Sequence, residues 1–257
     1  MTLAERVSHL RPPLDTSGPR VRLGIVWGVV AGLAAALGAL PAALVTSGVA
    51  LGASGQACRA WRRHGRHPNR IAAIGASVLV TLSASAGAGA MVAAVCFVVA
   101  VAAGTVVLRP EAPRRDARLA AAIGIVVGVA SAGLPLARHE LGATPALVLL
   151  ATVLVGEASW FIIGSDARRR FEAAVASSAA IGVVGLATAS VLVPPFRGAS
   201  PWVLAAVGAV LVPLGPPVAS TVLPRPDARV PALRRVDGFL LVAPVWVLVG
   251  SALLELA

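Results

Sequence analysis

Two carboxylates stand out by where they sit. Glu157 lies inside an apolar run, in Val155-Gly156-Glu157-Ala158-Ser159-Trp160. A carboxylate there is costly and marks a metal, proton or ion site unless it is protonated or hydrogen-bonded to a neighbouring helix. Asp237 follows Arg234 and Arg235 at the entry to the last apolar run. It suits either a divalent metal that holds phosphate or a helix N-cap with a charge partner, and the residues alone favour the cap. Arg234 and Arg235 can each grip a phosphate through paired hydrogen bonds. His64 and His67 lie in Arg62-Arg63-His64-Gly65-Arg66-His67-Pro68, with no acidic or thiolate co-ligand nearby. That run, like Arg168-Arg169-Arg170, reads as a solvated basic loop facing headgroups. Cys58 and Cys96 form no metal-ligand spacing and read as small buried hydrophobes.

The elements that must position these groups are apolar. Of 257 residues, 58% are apolar and 13% charged, and the mean hydropathy is +0.87. Too little polar surface exists to clothe a soluble globule or to keep a chain unfolded. The composition predicts an all-α polytopic membrane protein. All 22 basic side chains are arginine, and the net charge is +11. The arginines cluster between apolar runs rather than beside aromatics, which argues against a nucleic-acid partner.

A helical span needs about 20 apolar residues. Nine stretches meet this: 22–39, 40–58, 71–88, 89–108, 119–137, 144–164, 173–193, 201–223 and 237–256. Leu40-Pro41 divides the first long run, and Ser85 to Gly89 divides the second. With residues 1–21 as a cytoplasmic tail, 20 arginines fall on the inner side, and only Arg138 and Arg197 fall outside. The positive-inside rule therefore supports a single transmembrane domain over 22–257, with the N-terminus cytoplasmic and the C-terminus outside, in the cell membrane. Glu157 then lies roughly 10 Å from the inner end of its helix. Gly24, Gly28, Gly32 and Ala36 form one small-residue stripe, and Gly124 and Gly128 form another. Packing within the chain is favoured over a homodimer seam. Pro213, Pro216 and Pro217 interrupt the eighth stretch, as a simple kink or as the wall of a cavity. No loop is long enough for a soluble domain, and neither an internal repeat nor a phosphate-binding P-loop is present.

Two local segments carry a resemblance. Gly156-Glu157-Ala158-Ser159-Trp160-Phe161-Ile162-Ile163-Gly164 is similar to the Asp-Ser/Thr-x-x-Tyr-x-x-Gly segment of the phosphatidate cytidylyltransferase (CDP-diacylglycerol synthase) family. Arg235-Val236-Asp237-Gly238-Phe239-Leu240-Leu241-Val242-Ala243-Pro244-Val245 is similar to the end of that family's signature. The order of nine spans and the Arg-rich loop after the second also resemble it. The chain departs from the pattern elsewhere. The signature's earlier Asp falls on Arg234, its Gly-His-Gly-Gly on Ala228-Arg229-Val230-Pro231, and its Leu-Gly-Asp segment reads Leu214-Gly215-Pro216.

The resemblance implies a protein that joins CTP to phosphatidate with Mg²⁺ and releases pyrophosphate. That chemistry requires several converging carboxylates. The expectation is a diverged member with weak or no activity. If activity survives, Glu157 and Asp237 are the catalytic and metal-binding residues, Arg229, Arg234 and Arg235 hold headgroup or nucleotide phosphate, and Mg²⁺ and CTP are required. If it does not, no cofactor is expected. The alternatives are a non-enzymatic membrane protein that binds anionic lipid such as phosphatidate or supports a partner, and a small transporter using Glu157 and the Pro-broken helix.

Overall fold

Helix occupies every apolar stretch, because a chain with so few polar side chains must satisfy its backbone within each segment. The computed structural model describes residues 19–108, 114–164, 170–225 and 228–255. The N-terminal tail up to residue 18 and Arg168 and Arg169 lie outside the described residues. The helices are α1 (Pro19–Leu37), α2 (Ala39–Arg62), α3 (Arg70–Ser83), α4 (Ala88–Leu108), α5 (Arg114–Leu141), α6 (Ala143–Gly164), α7 (Arg170–Val191), α8 (Ser200–Leu211), α9 (Gly215–Ala219) and α10 (Phe239–Glu255). Single 3₁₀ turns follow α3 and α9 and precede α10. The described residues contain no strand.

Glycine sets the sharpest boundaries. Gly38 has φ 152° and separates α1 from α2. The break therefore falls before Leu40-Pro41, and Pro41 sits in the first turn of α2, where its missing N–H costs nothing. Gly87, with φ 102°, ends the turn between α3 and α4, inside the expected Ser85–Gly89 division. Glu140 then caps α4 by accepting the Ala88 N–H at 2.7 Å.

Among the described residues, five segments are long and apolar enough to cross a membrane: Ala88–Thr105, Arg114–Leu141, Ala143–Ile162, Glu172–Val191 and Leu233–Leu253. A sixth is the pair Ser200–Leu211 and Gly215–Val222, bent by 43° at the proline break. α1 and α3 are apolar but shorter. α2 has the length, but Thr46, Ser47, Ser54 and Gln56 lower its apolarity.

α5 is the central helix and packs against α2, α3, α4, α6 and α10. Its glycines explain the close approach. A methyl on Gly124 would lie 2.5 Å from Ala76 Cβ and 3.1 Å from the Ala73 carbonyl oxygen of α3. One on Gly133 would lie 2.6 Å from Ala243 Cβ of α10. The α1 stripe is likewise used within the chain, with Gly28 and Gly32 facing Leu154 and Leu150 of α6. Hydroxyls join the core helices: Ser54 donates to Ser77 at 2.9 Å, and Thr81 reaches the Gly128 carbonyl at 3.3 Å. Such bonds hold helices together where water is absent. Cys58 is buried as expected, whereas Cys96 is exposed because α4 packs on one side only.

The bundle has two chemically distinct ends. At one, Trp61 Nε1–H donates to the Val222 carbonyl at 2.8 Å, and the Ala232 N–H donates to Gln56 Oε1 at 3.1 Å. The arginines of 59–70, 114–118 and 234–235 gather there. At the other, Arg138 Nε–H donates to the Ala35 carbonyl at 2.8 Å, and Leu141 lies against Gly250.

Candidate functional site

The proline break in the eighth stretch organises the site. α8 stops at Leu211, ahead of Pro213, and Pro216 and Pro217 stand in the first turn of α9, where their missing N–H groups cost nothing. The Pro216 carbonyl accepts the Ser220 N–H within α9, and also Ser220 Oγ at 2.7 Å and Arg234 Nη1 at 3.4 Å. Gly215 is required at the break, since a methyl there would overlap the Asp237 carbonyl oxygen and lie 3.1 Å from Gly238 Cα. The break is thus pressed against the entry to α10.

Arg234 is the hub. Its Nη1 donates to Asp237 Oδ2 at 2.9 Å, and its Nη2 donates to Ser220 Oγ at 3.0 Å. Asp237 is 1% exposed, and its N–H is satisfied by the Leu233 carbonyl at 2.9 Å. Asp237 therefore has the charge partner expected of it, three residues away in sequence. Arg234 is committed to protein groups, so the phosphate-gripping role expected of it competes with three internal bonds.

Glu157 projects from α6 toward the same place. Its Oε1 is enclosed and has no hydrogen-bond partner, although the residue as a whole is half-buried. A methyl on Gly238 would lie 2.7 Å from that oxygen and 2.9 Å from Val153 Cγ1. The Asp237 carboxylate repels a charged Glu157, and the Arg235 guanidinium and the Gly238 N–H favour it. Arg235 reaches across to α1, where a methyl on Gly24 would lie 3.0 Å from its Nη1. The structure thus brings together Glu157, Asp237, Arg234 and Arg235. Arg229 stays exposed on the preceding loop.

A site for Mg²⁺ must meet that ion's own demands. That ion keeps several waters and takes one or two carboxylates together with substrate phosphates. Here one Asp237 oxygen is held by arginine, and no group of three or more His, Cys, Asp or Glu side chains occurs among the described residues. A groove of about 810 Å³ lies elsewhere, between α6 and α7, lined by apolar residues such as Leu147, Val155, Val183 and Val191. The residues at Glu157 and Asp237 do not fit a metal-bound triphosphate.

Three participants were not singled out from the sequence: Ser220, the Pro216 carbonyl and Gly238. The proline pair marked a helix break near them, but nothing local linked that break to Arg234. Comparison with known proteins finds no matching family model, no matching curated protein and no matching solved structure. What the fold defines is an all-helical protein with several helices of membrane-crossing length.

Proposed function

We propose that this chain is an integral membrane protein that crosses the bilayer nine times, built on a phosphatidate cytidylyltransferase-like plan but without effective cytidylyl transfer. Its arginine-rich end faces the cytoplasm and holds anionic lipid. The observation that supports this is the Arg234 hub. A guanidinium stands where the resembled signature has a carboxylate, and it bonds the one remaining signature carboxylate, Asp237, rather than leaving it to a metal.

The experiment is conversion of CTP and phosphatidate by purified protein with Mg²⁺. The expected result is no product above that of a Glu157→Gln, Asp237→Asn double variant. Turnover comparable to an intact family member overturns the reading. The lipid arm is independent: the same double variant is expected to retain anionic lipid, and loss of all binding counts against a non-catalytic lipid-binding role.

A second reading is ion-coupled transport. It is favoured by the enclosed Glu157 Oε1 beside a broken helix, an arrangement transporters use for coupling sites. Proton-coupled uptake in vesicles, abolished by Glu157→Gln, would promote it over the first.

A further inference from the structure

The strongest charged surface lies away from Glu157. α2 ends in a glycine turn: the His64 and Arg66 N–H groups both donate to the Trp61 carbonyl, at 2.9 and 3.1 Å, and Gly65 has φ 75°. α3 begins with Asn69 as N-cap, its Oδ1 accepting the N–H groups of Ile71 and Ala72 at 3.1 Å each. Midway between these stops, the His67 N–H donates to Asp116 Oδ2 at 3.2 Å, which ties the loop to the first turn of α5. Pro68 is buried beneath it. The loop is therefore fixed at both ends and in the middle.

Seven arginines of the loop, its adjoining helix ends and the first turns of α5 flank this tie in sequence. Arg62, Arg63, Arg70, Arg114, Arg115 and Arg118 are exposed, and Arg66 is half-buried. None of the seven has an ion pair among the described residues. Like charges gathered on one loop and the adjoining helix turn repel unless an anion lies among them, and arginine takes phosphate oxygens through two parallel bonds. The surface sits at the end of the bundle where α2, α3 and α5 terminate, at the level that headgroups occupy if these helices span the bilayer.

We propose that the α2–α3 loop and the first turn of α5 form a docking platform for the phosphates of anionic phospholipids, with Asp116 as the positioning residue that sets the loop against α5. The platform rests on the membrane reading above and is separate from Arg229, Arg234 and Arg235. It makes an unusual demand: removing the acid raises the positive charge of the patch yet weakens binding, because the guanidinium groups of the loop lose their register with those of α5.

The test is native mass spectrometry of the full-length protein, titrated in detergent with phosphatidylglycerol or phosphatidylcholine. Wild type is expected to retain phosphatidylglycerol preferentially. An Arg62→Gln, Arg63→Gln, Arg115→Gln variant is expected to lose on the order of 100-fold in affinity, at about five-fold per arginine. Asp116→Ala is expected to lose at least about three-fold net, outweighing a gain of up to about five-fold that its added charge alone would give. Asp116→Asn keeps an oxygen for the His67 N–H and is expected to bind at least as well as wild type. Glu172→Gln, an exposed acid on α7, controls for charge and is expected to change nothing.

If Asp116→Ala binds as well as wild type or better, the patch is only diffuse charge and the proposal fails. It also fails if phosphatidylcholine is held equally, or if inorganic phosphate at the lipid's concentration displaces the lipid. Arg229→Gln with Arg235→Gln is expected to cost much less than the triple arginine variant. A loss there as large as that of the triple variant moves the lipid to the candidate site and overturns the platform, while leaving the transfer reading intact.

Discussion

Removing Arg234 tests the hub most severely. The Arg234–Asp237 pair is asymmetric: the arginine side chain is 36% exposed and the aspartate side chain 2%. Arg234→Ala leaves a sealed carboxylate without its cation, next to Glu157, and removes the guanidinium bonds to Ser220 Oγ and the Pro216 carbonyl. Breaking a buried pair by deleting one partner costs about 3–5 kcal/mol. The exposure of the guanidinium weakens the interaction through solvent screening, so we expect about 3 kcal/mol. Asp237→Asn removes the charge but leaves an oxygen for Arg234, which can also turn to water. Its cost is expected to be about 1 kcal/mol. Because the two act on one contact, the Arg234→Ala, Asp237→Asn double variant should fall short of additivity by about 1 kcal/mol. The assay is equilibrium unfolding in mixed micelles, followed by tryptophan fluorescence and helical circular dichroism. Additive single costs, or an Arg234→Ala cost no larger than that of Asp237→Asn, would refute the view that this arginine pins the broken helix to α10.

Other perturbations separate packing from chemistry. Gly124→Val should destabilise the fold by roughly 2–3 kcal/mol, because backbone and Cβ atoms of α3 block the new side chain. Gly48→Ala meets no atom within 4 Å and should be neutral or stabilise by up to about 1 kcal/mol through helix propensity. The same unfolding assay reads both, and equal effects would argue against the tight α3–α5 contact. Glu157→Gln should not destabilise, since a charged carboxylate there faces Asp237 and the amide keeps an oxygen for the Gly238 N–H. A loss of more than about 2 kcal/mol would mean that the carboxylate carries an essential bond.

How far the sequence reached differs between elements. The helical runs were legible because each is a continuous apolar stretch, and even the proline interruption of the eighth could be read. The α1–α2 boundary was misplaced because proline is tolerated in a first helical turn, whereas Gly38 takes a backbone angle that stops one. The α5 helix runs beyond 119–137 at both ends because its flanking charged residues continue the helix. Asp237's partner was legible from a spacing of three. The other contacts of Arg234 were not, since Pro216 and Ser220 lie in a different helical element. The nearness of Glu157 to Gly238 could be inferred only through two partial motifs, because no local spacing links α6 to α10. The exposure of Cys96 follows from which side of α4 meets the bundle, a fact of tertiary packing that an apolar run does not record.

The central claim is that the arginine-rich end of the bundle lies in the cytoplasm and that nine crossings separate the two termini. In a Cys58→Ala, Cys96→Ala background, single cysteines at positions 64 and 198 and tags at both termini can be probed in intact cells with a membrane-impermeant thiol reagent and tag-directed protease. The account predicts that position 198 and the C-terminus react from outside, while position 64 and the N-terminus are protected until the cells are permeabilised. Both termini in one compartment, or position 64 reacting from outside, would contradict it.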